Sequence, residues 1–297
     1  MGCEQKENVV EGISVIIPTY NEEAGIASVI EGILSVMDRS NIDYELLVVD
    51  DGSTDRTSEI IREKDVELVQ HHINRGYGAS LKTGIKRARY GNILITDADG
   101  TYPNKQIHEL IRTFKEGNFD MVVGARIGKD VSIPFIRRPA KWFLTQLANY
   151  LCGTRIPDLN SGLRIMRKVV VEKYSRILPD GFSFTTTITL AMLTNGHIIE
   201  YVPIDYFKRK GKSKIRPLKD TLNFIQLVIT TVLYFDPLKV FIPLSLFLVI
   251  FAFIVLIGSW LYLGKVADLS FVVILMSAVV VMAIGMLADL IDKRMKE

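Results

Sequence analysis

The sequence lacks the features that define several common protein classes. Its 297 residues include only two cysteines, Cys3 and Cys152, so a disulfide framework is excluded and a reducing compartment fits. Residues 1–9 are polar and charged, without the apolar core of a signal peptide. Lys and Arg total 36 against 33 Asp and Glu, a formal net charge of +3. This near balance gives no argument for a nucleic acid partner.

Two familiar nucleotide-binding loops are also absent. The first predicted strand is not followed by the Gly-x-Gly-x-x-Gly fingerprint of dinucleotide-binding dehydrogenases, and no Walker phosphate loop occurs. Gly76 and Gly78 follow the third predicted strand, but the rest of that fingerprint is missing. A nucleotide would therefore have to be bound in another way.

Long uncharged segments, in contrast, are prominent after residue 239. Residues 240–264 contain no charged side chain, and as a helix they would reach roughly 37 Å, more than a hydrocarbon core of about 30 Å. Residues 269–287 form a second uncharged run after a short link. We expect a transmembrane hairpin over 237–291. The alternative, a core hairpin of a soluble protein, is disfavoured because so small a domain can hardly bury two such runs.

Basic residues lie on both sides of this hairpin and predict its orientation. They are Lys208, Arg209, Lys210, Lys212, Lys214, Arg216, Lys219 and Lys239 before it, and Lys293, Arg294 and Lys296 after it. By the positive-inside rule, the domain before the hairpin and both termini are predicted to face the cytoplasm. In 218–236, apolar residues recur at spacings of three and four. This predicts an amphipathic juxtamembrane helix, either lying in the headgroup plane or packed on the soluble domain.

Strand-like and helix-like segments alternate over residues 11–217. Strands are predicted at 13–18, 44–50, 66–71, 92–96 and 121–124, and helices at 22–37, 56–63 and 78–89. The alternation predicts an α/β domain whose mostly parallel sheet has helices on both faces. A polar tail over 1–10 and a basic cytoplasmic tail over 292–297 complete the predicted organisation.

Acidic residues follow three of these strands: Glu22 the first, Asp50 and Asp51 the second, Asp97 and Asp99 the fourth. Open α/β sheets bind ligands at the carboxyl ends of their strands. Residues 97 and 99 point the same way in an extended chain, and Mg²⁺ typically lies between one or two carboxylates and substrate phosphates. The pair therefore predicts a metal that holds a diphosphate. A solvated turn is the alternative for this pair taken alone.

Four motifs stand in order at these strand ends: SVIIPTYNEE at 14–23, VVDDGSTD at 48–55, NRGYGA at 74–79 and DAD at 97–99. Together they resemble the signature of family 2 nucleotide-sugar glycosyltransferases, which have the GT-A fold. Four later segments resemble the polyprenyl-phosphate branch, which includes dolichyl-phosphate mannose synthases: VGAR at 123–126, RR at 137–138, DLNSGLR at 158–164 and RKGKSK at 209–214. One departure is Thr101, where that branch usually has a Gln beside the metal.

The resemblance implies roles for individual residues. The residues that would line the nucleoside pocket are Pro18, Tyr20, Glu22, Val49 and Asp51. The residues that would meet the ribose, the diphosphate and an Mg²⁺ or Mn²⁺ ion are Asp97, Ala98 and Asp99, with Asp99 as the primary metal ligand and Asp97 beside it. The residues that would contact phosphates are Arg126 and Arg138. The residues that would lie on the path of the acceptor phosphate are Arg209, Ser213 and Lys214, although anchoring to anionic lipid is an alternative for this cluster.

The implied function is a membrane-bound inverting glycosyltransferase that moves one sugar from a GDP- or UDP-sugar to a polyprenyl phosphate. Such an acceptor is already an anion and needs little help from a general base. Asp158 is a candidate base or sugar-orienting group, or alternatively a turn residue. The sugar, the choice between dolichyl and undecaprenyl phosphate, and homo-oligomer formation stay open.

Three other functions fit the sequence less well. A processive polysaccharide synthase is disfavoured because the Gln-x-x-Arg-Trp motif is absent and two helices cannot enclose a polymer path. Transfer to a soluble or protein acceptor is disfavoured by the basic approach to the membrane. Another membrane or cell-envelope acceptor stays open as an alternative. A catalytically inactive membrane scaffold is disfavoured because the expected acidic positions are all occupied.

Overall fold

A central sheet organises the N-terminal domain of this computed structural model. The structure describes residues 12–127, 138–207, 226, 229–230, 233–234, 236–263 and 268–296. Its described strands are β1 (Ile13–Thr19), β2 (Tyr44–Asp50), β3 (Glu67–Gln70), β4 (Asn92–Ile95), β5 (Met121–Ala125), β6 (Arg164–Arg167) and β7 (Ile199–Pro203). They form one sheet in the order β3-β2-β1-β4-β6-β5-β7. β6 is antiparallel to β4 and β5, whereas the other neighbours are parallel.

Helices cover both faces of the sheet. The described helices are α1 (Ile26–Met37), α2 (Thr57–Arg62), α3 (Tyr77–Arg87), α4 (Ile107–Glu116), α5 (Arg138–Cys152), α6 (Lys168–Lys173), α7 (Phe184–Thr194), α8 (Leu238–Leu263) and α9 (Asp268–Lys296). Successive residues of β1 point to opposite faces. Val15 and Ile17 therefore join the cluster under α1 and α4, whereas Ile16 joins the cluster under α3, α6 and α7. The apolar run of a central strand is thus buried on both faces.

The predicted α/β domain with a mostly parallel sheet is confirmed. β6 and β7 were not predicted, because β6 is short and begins and ends with arginine, and β7 is partly exposed. α1 begins at Ile26 rather than at residue 22. Before α1, the N–H groups of Asn21, Glu22 and Glu23 bond to side chains after β2, and the Gly25 N–H bonds to the Glu22 carbonyl.

α8 and α9 form an antiparallel pair. Phe241 lies against Gly285, the Ser245 hydroxyl donates to the Ala278 carbonyl at 3.0 Å, and the rings of Phe253 and Phe271 meet with centroids 5.3 Å apart. Both helices are long and apolar enough to cross a membrane, and only 11% of each apolar window is buried. Core helices of a soluble domain would be mostly buried, so the predicted pair of apolar helices able to form a hairpin is confirmed.

Lys239 and Val240, at the start of the hairpin, contact the sheet domain. The Lys239 ammonium donates to the Leu151 carbonyl at 2.9 Å and pairs with Asp236 at 3.2 Å. Val240 packs on the small cluster that contains Leu151. In the predicted juxtamembrane helix over 218–236, residues 226, 229–230 and 233–234 are helical, and most others lie outside the described residues.

Asp50 joins three elements at the end of β2. This fully buried carboxylate accepts hydrogen bonds from the Ser53 N–H at 3.0 Å, from the hydroxyls of Ser53 and Ser58, and from the Gln70 amide at 3.2 Å. These partners belong to the turn after β2, to α2 and to β3. Asp50 therefore fixes the framework on which the neighbouring Asp51 is presented.

The substitution Asp50→Ala is expected to destabilise the sheet domain by about 2–4 kcal/mol, because one buried donor and several part-buried donors lose a buried acceptor. For a domain of this size the apparent Tm should fall by about 5–10 °C, measured by circular dichroism of the detergent-solubilised protein. Asp65→Ala, at an exposed position, is the matched control and should change Tm little. Equal Tm values for the two variants would contradict the assignment.

Candidate active site

The loops after β1 and β2 are joined to each other at the carboxyl edge of the sheet. The Asn21 side-chain oxygen accepts from the Thr54 N–H at 2.8 Å, and the Asn21 N–H donates to the Ser53 hydroxyl at 2.9 Å. Asn21 adopts a positive φ of 54°, which asparagine tolerates better than most residues. The Glu22 N–H donates to the Thr57 hydroxyl at 2.9 Å. These bonds hold the end of β1 beside the loop after β2, and Tyr20, the residue after β1, is 36% exposed.

Asp51 fastens the loop before α3 to the end of β2. Its Oδ1 accepts from the Arg75 N–H at 2.9 Å and lies 2.7 Å from His71 Nδ1, while its Oδ2 accepts from the Gly76 N–H at 2.8 Å. The other ring nitrogen of His71 lies 3.0 Å from the Thr83 hydroxyl. Because a carboxylate oxygen can accept two hydrogen bonds, Oδ2 keeps the capacity for one more. The predicted nucleoside contact of Asp51 is compatible with this arrangement.

The apolar residues predicted around the nucleoside lie in or directly beneath the sheet edge. Pro18 and Val49 are paired across β1 and β2 and are buried. The side chain of Val49 belongs to the core cluster under α3, and Ala98 is 4% exposed. These residues form the floor below the loops.

Asp97 and Asp99 follow β4, and a neighbouring hydroxyl orients each carboxylate. Asp99 Oδ1 accepts from both the N–H and the hydroxyl of Thr101, at 3.1 and 2.6 Å. Asp97 Oδ1 accepts from the Tyr77 hydroxyl at 2.9 Å. Burial and the charge of Asp97 raise the pKa of Tyr77 well above its usual value, so this hydroxyl keeps its proton. Thr101, the departure noted in the sequence, therefore orients Asp99.

Gly162 approaches the metal motif from the loop before β6. A Cβ added to Gly162 would lie 2.5 Å from Asp97 Oδ2 and 2.7 Å from Oδ1, closer than real carbon and oxygen atoms approach. The Gly162 N–H donates to the Tyr102 hydroxyl at 2.6 Å. Only glycine allows the backbone to lie this close to the Asp97 carboxylate.

Arg126 and Asp158 form a bidentate ion pair at the end of β5. Arg126 Nε lies 2.7 Å from Asp158 Oδ2 and Nη2 lies 2.9 Å from Oδ1, and Nη2 also donates to Asn160 at 2.6 Å. The guanidinium lies over the Tyr206 ring, 5.2 Å from its centroid. Burial lowers the pKa of Arg126, but the hydrogen bonds and charge of Asp158 outweigh it and leave the pKa raised. Among the described residues, Arg126 Nη1 has no hydrogen-bond partner, so it can still donate to an anion.

Arg164 supports the same loop from within the core. Its guanidinium is fully buried and donates through Nε and Nη2 to the Ser161 carbonyl. Nη1 donates to the Thr185 carbonyl at 3.0 Å and to the Thr189 hydroxyl at 2.9 Å. Arg164 thereby ties the segment that carries Gly162 to α7.

The donor set at Asp97 and Asp99 fits a substrate-bridging divalent ion. Across the described part of the chain, no group of three or more His, Cys, Asp or Glu side chains could hold a metal. A structural zinc site is therefore not indicated for these residues. Two carboxylates that supply only oxygen suit Mg²⁺ or Mn²⁺, which can take further ligands from a diphosphate and water.

The structure brings together most, but not all, of the predicted site residues. Arg209, Ser213 and Lys214 lie outside the described residues, as does the side chain of Arg138, although its backbone begins α5. Sequence reasoning gave no role to Tyr77, Gly162 or Arg164. All three occur within the recognised motifs, so motif membership was the available signal, but the contacts they make depend on the tertiary fold.

Comparison with known proteins gives a family match. Residues 14–175 match Glycosyl transferase family 2. A dolichyl-phosphate hexose transferase from Haloferax volcanii is 30% identical over 212 residues, which cover 71% of this chain and 90% of that protein. The low-salt glycan biosynthesis hexosyltransferase Agl6 of the same organism is 27% identical over 226 residues, covering 75% of this chain and 54% of that protein.

Solved structures share the fold. Glucosyl-3-phosphoglycerate synthase from Mycobacterium tuberculosis, crystallised with Mn²⁺, uridine diphosphate and phosphoglyceric acid, superposes with a TM-score of 0.60. The match has 19% sequence identity and covers 75% of this chain and 79% of that chain. Residues 1–349 of TarS from S. aureus, crystallised with UDP-GlcNAc, give a TM-score of 0.55 at 22% identity. The match covers 76% of this chain and 67% of that chain. At such identities the likeness establishes the GT-A fold alone.

The substitution Gly162→Ala is expected to impair donor binding with little loss of stability, because the new Cβ must push the Asp97 carboxylate aside. We expect the KM for the nucleotide sugar to rise about tenfold or more, a loss of about 1.4 kcal/mol or more. Gly258→Ala in α8 is the matched control, since no described atom lies within 4 Å of its added Cβ. Equal KM values for the two variants would show that the close approach is unimportant.

Proposed function

The chain belongs to glycosyl transferase family 2, and from that premise we propose that this glycosyltransferase moves one hexose from a nucleotide sugar to a polyprenyl phosphate. The observation that carries the proposal is the attachment of a sheet edge bearing Asp97 and Asp99 to a hairpin able to cross a bilayer. The dolichyl-phosphate hexose transferase among its relatives supports this acceptor class. The donor is a GDP- or UDP-sugar.

Tyr20 and Asp51 are proposed to hold the nucleoside, one by stacking and the other by accepting a base N–H. Asp99, oriented by Thr101, and Asp97 would hold an Mg²⁺ or Mn²⁺ ion. When bound, that ion would offset the charge that develops on the departing diphosphate. The partial exposure of Tyr20 and the remaining acceptor capacity of Asp51 Oδ2 support these roles. Glu22, Pro18, Val49 and Ala98 would complete the surroundings of the nucleoside.

The proposed chemistry is a single displacement at the anomeric carbon. An oxygen of the lipid phosphate forms a bond to that carbon as the bond to the nucleoside diphosphate breaks, with inversion and without a covalent enzyme intermediate. The nucleophile is already anionic, so the protein chiefly positions the two substrates. The bidentate ion pair of Asp158 with Arg126 supports an orienting role for Asp158 over that of a general base.

Arg126 is proposed to contact the phosphate groups. Its guanidinium is held by Asp158, Asn160 and the Tyr206 ring, and Nη1 points to no described partner. A preorganised cation of this kind stabilises charge without having to reorganise during the reaction. Arg138, Arg209, Ser213 and Lys214 are proposed to meet the acceptor phosphate as it arrives from the bilayer.

Transfer is expected only to a phosphorylated lipid. Detergent-solubilised protein with Mg²⁺ or Mn²⁺ is supplied with a panel of radiolabelled GDP- and UDP-hexoses and either polyprenyl phosphate or polyprenol. Label should enter polyprenyl phosphate, and only from one class of donor. Asp99→Asn should abolish this transfer without lowering Tm. Efficient use of polyprenol would falsify the mechanism. Transfer to other envelope acceptors alone, or no transfer with any donor, would overturn the proposed acceptor.

Both ends of the chain are expected on the cytoplasmic side of the membrane. The antiparallel contacts between α8 and α9 and the basic residues before and after the hairpin support this topology. Reporter domains that are active on only one side of a membrane are fused at Met1 and, separately, at Glu297. Signals from opposite sides would contradict the hairpin, and periplasmic or lumenal signals from both would contradict its orientation.

A further inference from the structure

We propose that Tyr77 is a positioning residue that acts through Asp97 and sets the affinity of the site for a divalent cation bound with a nucleoside diphosphate. The inference rests on the proposed function, because it assumes that Asp97 and Asp99 meet such a complex. It adds a residue that the metal motif itself does not contain.

The Asp97 carboxylate is confined between two different elements. On one side the Tyr77 hydroxyl, from the first turn of α3, donates to Oδ1 at 2.9 Å. On another side the Gly162 backbone lies so near that an added Cβ would be 2.5 Å from Oδ2. A carboxylate restricted in this way retains one orientation, and the hydrogen bond of Tyr77 determines which oxygen faces α3.

Tyr77 is itself held in place by the segment that precedes α7. The Phe182 ring stacks on the Tyr77 ring with centroids 5.6 Å apart and an interplanar angle of 17°. Asp180 accepts from the Ala79 N–H through its carbonyl at 3.0 Å, and its carboxylate pairs with Lys82 at 2.8 Å. These contacts connect the segment to both the first and the second turn of α3.

Two glycines allow this close contact. A Cβ on Gly76 would lie 2.5 Å from the Asp180 carbonyl oxygen, and one on Gly78 would collide with the Pro179 carbonyl oxygen. Gly76 also adopts a positive φ of 104°, which favours glycine. The glycines on either side of Tyr77 therefore let the Pro179–Phe182 backbone reach α3. This contact restrains the Tyr77 side chain between them.

A hydroxyl that is fixed before the ligands arrive lowers the cost of ordering the site. The carboxylate needs no reorientation when the cation binds, and preorganisation of this kind increases affinity. Loss of one hydrogen bond to a charged acceptor weakens binding less when the site is partly exposed than when it is buried. For the partly exposed Asp97, we expect Tyr77→Phe to weaken binding of the metal–nucleotide complex about 3- to 10-fold.

The test compares two tyrosines whose hydroxyls can be removed without changing the ring. Tyr77→Phe keeps the stack with Phe182 but loses the bond to Asp97. Tyr174→Phe is the matched control, because its hydroxyl lies 3.0 Å from His197 Nε2 and neither residue belongs to the proposed site. Binding of Mn²⁺ is measured by electron paramagnetic resonance in the presence of uridine diphosphate and, separately, guanosine diphosphate, without acceptor.

The expected result is weaker Mn²⁺ binding in Tyr77→Phe than in Tyr174→Phe, with similar Tm values. Phe182→Leu should give a smaller loss in the same direction, because it loosens the tyrosine ring without removing the hydroxyl. In turnover assays, a rise in the KM for donor larger than the fall in kcat would agree with a positioning role. Equal Mn²⁺ affinities in the two tyrosine variants would overturn the inference.

This binding assay separates the inference from the proposed function. It contains no lipid, so a selective loss in Tyr77→Phe supports the inference even when polyprenyl phosphate proves to be the wrong acceptor. Conversely, transfer to polyprenyl phosphate by an unaffected Tyr77→Phe variant overturns the inference alone. If the wild-type protein fails to bind Mn²⁺ in the presence of either nucleotide, both the inference and the metal role from which it starts are overturned.

Discussion

The concentration of like charge at one sheet edge is the constraint on which the rest of the site depends. Carboxylates that meet at such an edge repel one another unless donors or cations offset them. Hydroxyl and amide donors satisfy Asp50, backbone N–H groups and a histidine satisfy Asp51, and Arg126 neutralises Asp158. Tyr77 donates to Asp97, and Thr101 donates to Asp99. Donors from several loops thus offset the carboxylates that meet at this edge.

The hairpin and the sheet domain offer different environments to a substrate. α8 and α9 expose most of their apolar surface, which suits a hydrocarbon solvent and not water. The contact of Lys239 with the end of α5 fixes where this surface begins relative to the domain. A substrate with a charged head and a long apolar tail matches an assembly built in this way, since each part of it finds its own solvent.

Much of the fold could be predicted because local pattern and tertiary environment agree. The apolar runs of β1, β2 and β4 are buried on both faces, and the acidic residues after them stand where parallel strands end. β6 could not be predicted, because Arg164 and Arg167 at its ends are polar and a strand is not their usual environment. The contacts of Tyr77 and Gly162 with Asp97 join residues far apart in sequence, and no local pattern specifies them.

Because β6 runs antiparallel to β4, two separate stretches of the chain meet at the sheet edge. Its first residue, Arg164, pairs with Ile95 at the end of β4, so the loop with Gly162 reaches Asp97 from the opposite chain direction. The residues at the ends of β1, β2 and β4 precede residue 103, whereas Gly162 and the Arg126–Asp158 pair come later in the chain. The surroundings of Asp97 are therefore complete only when both stretches of the chain are in place.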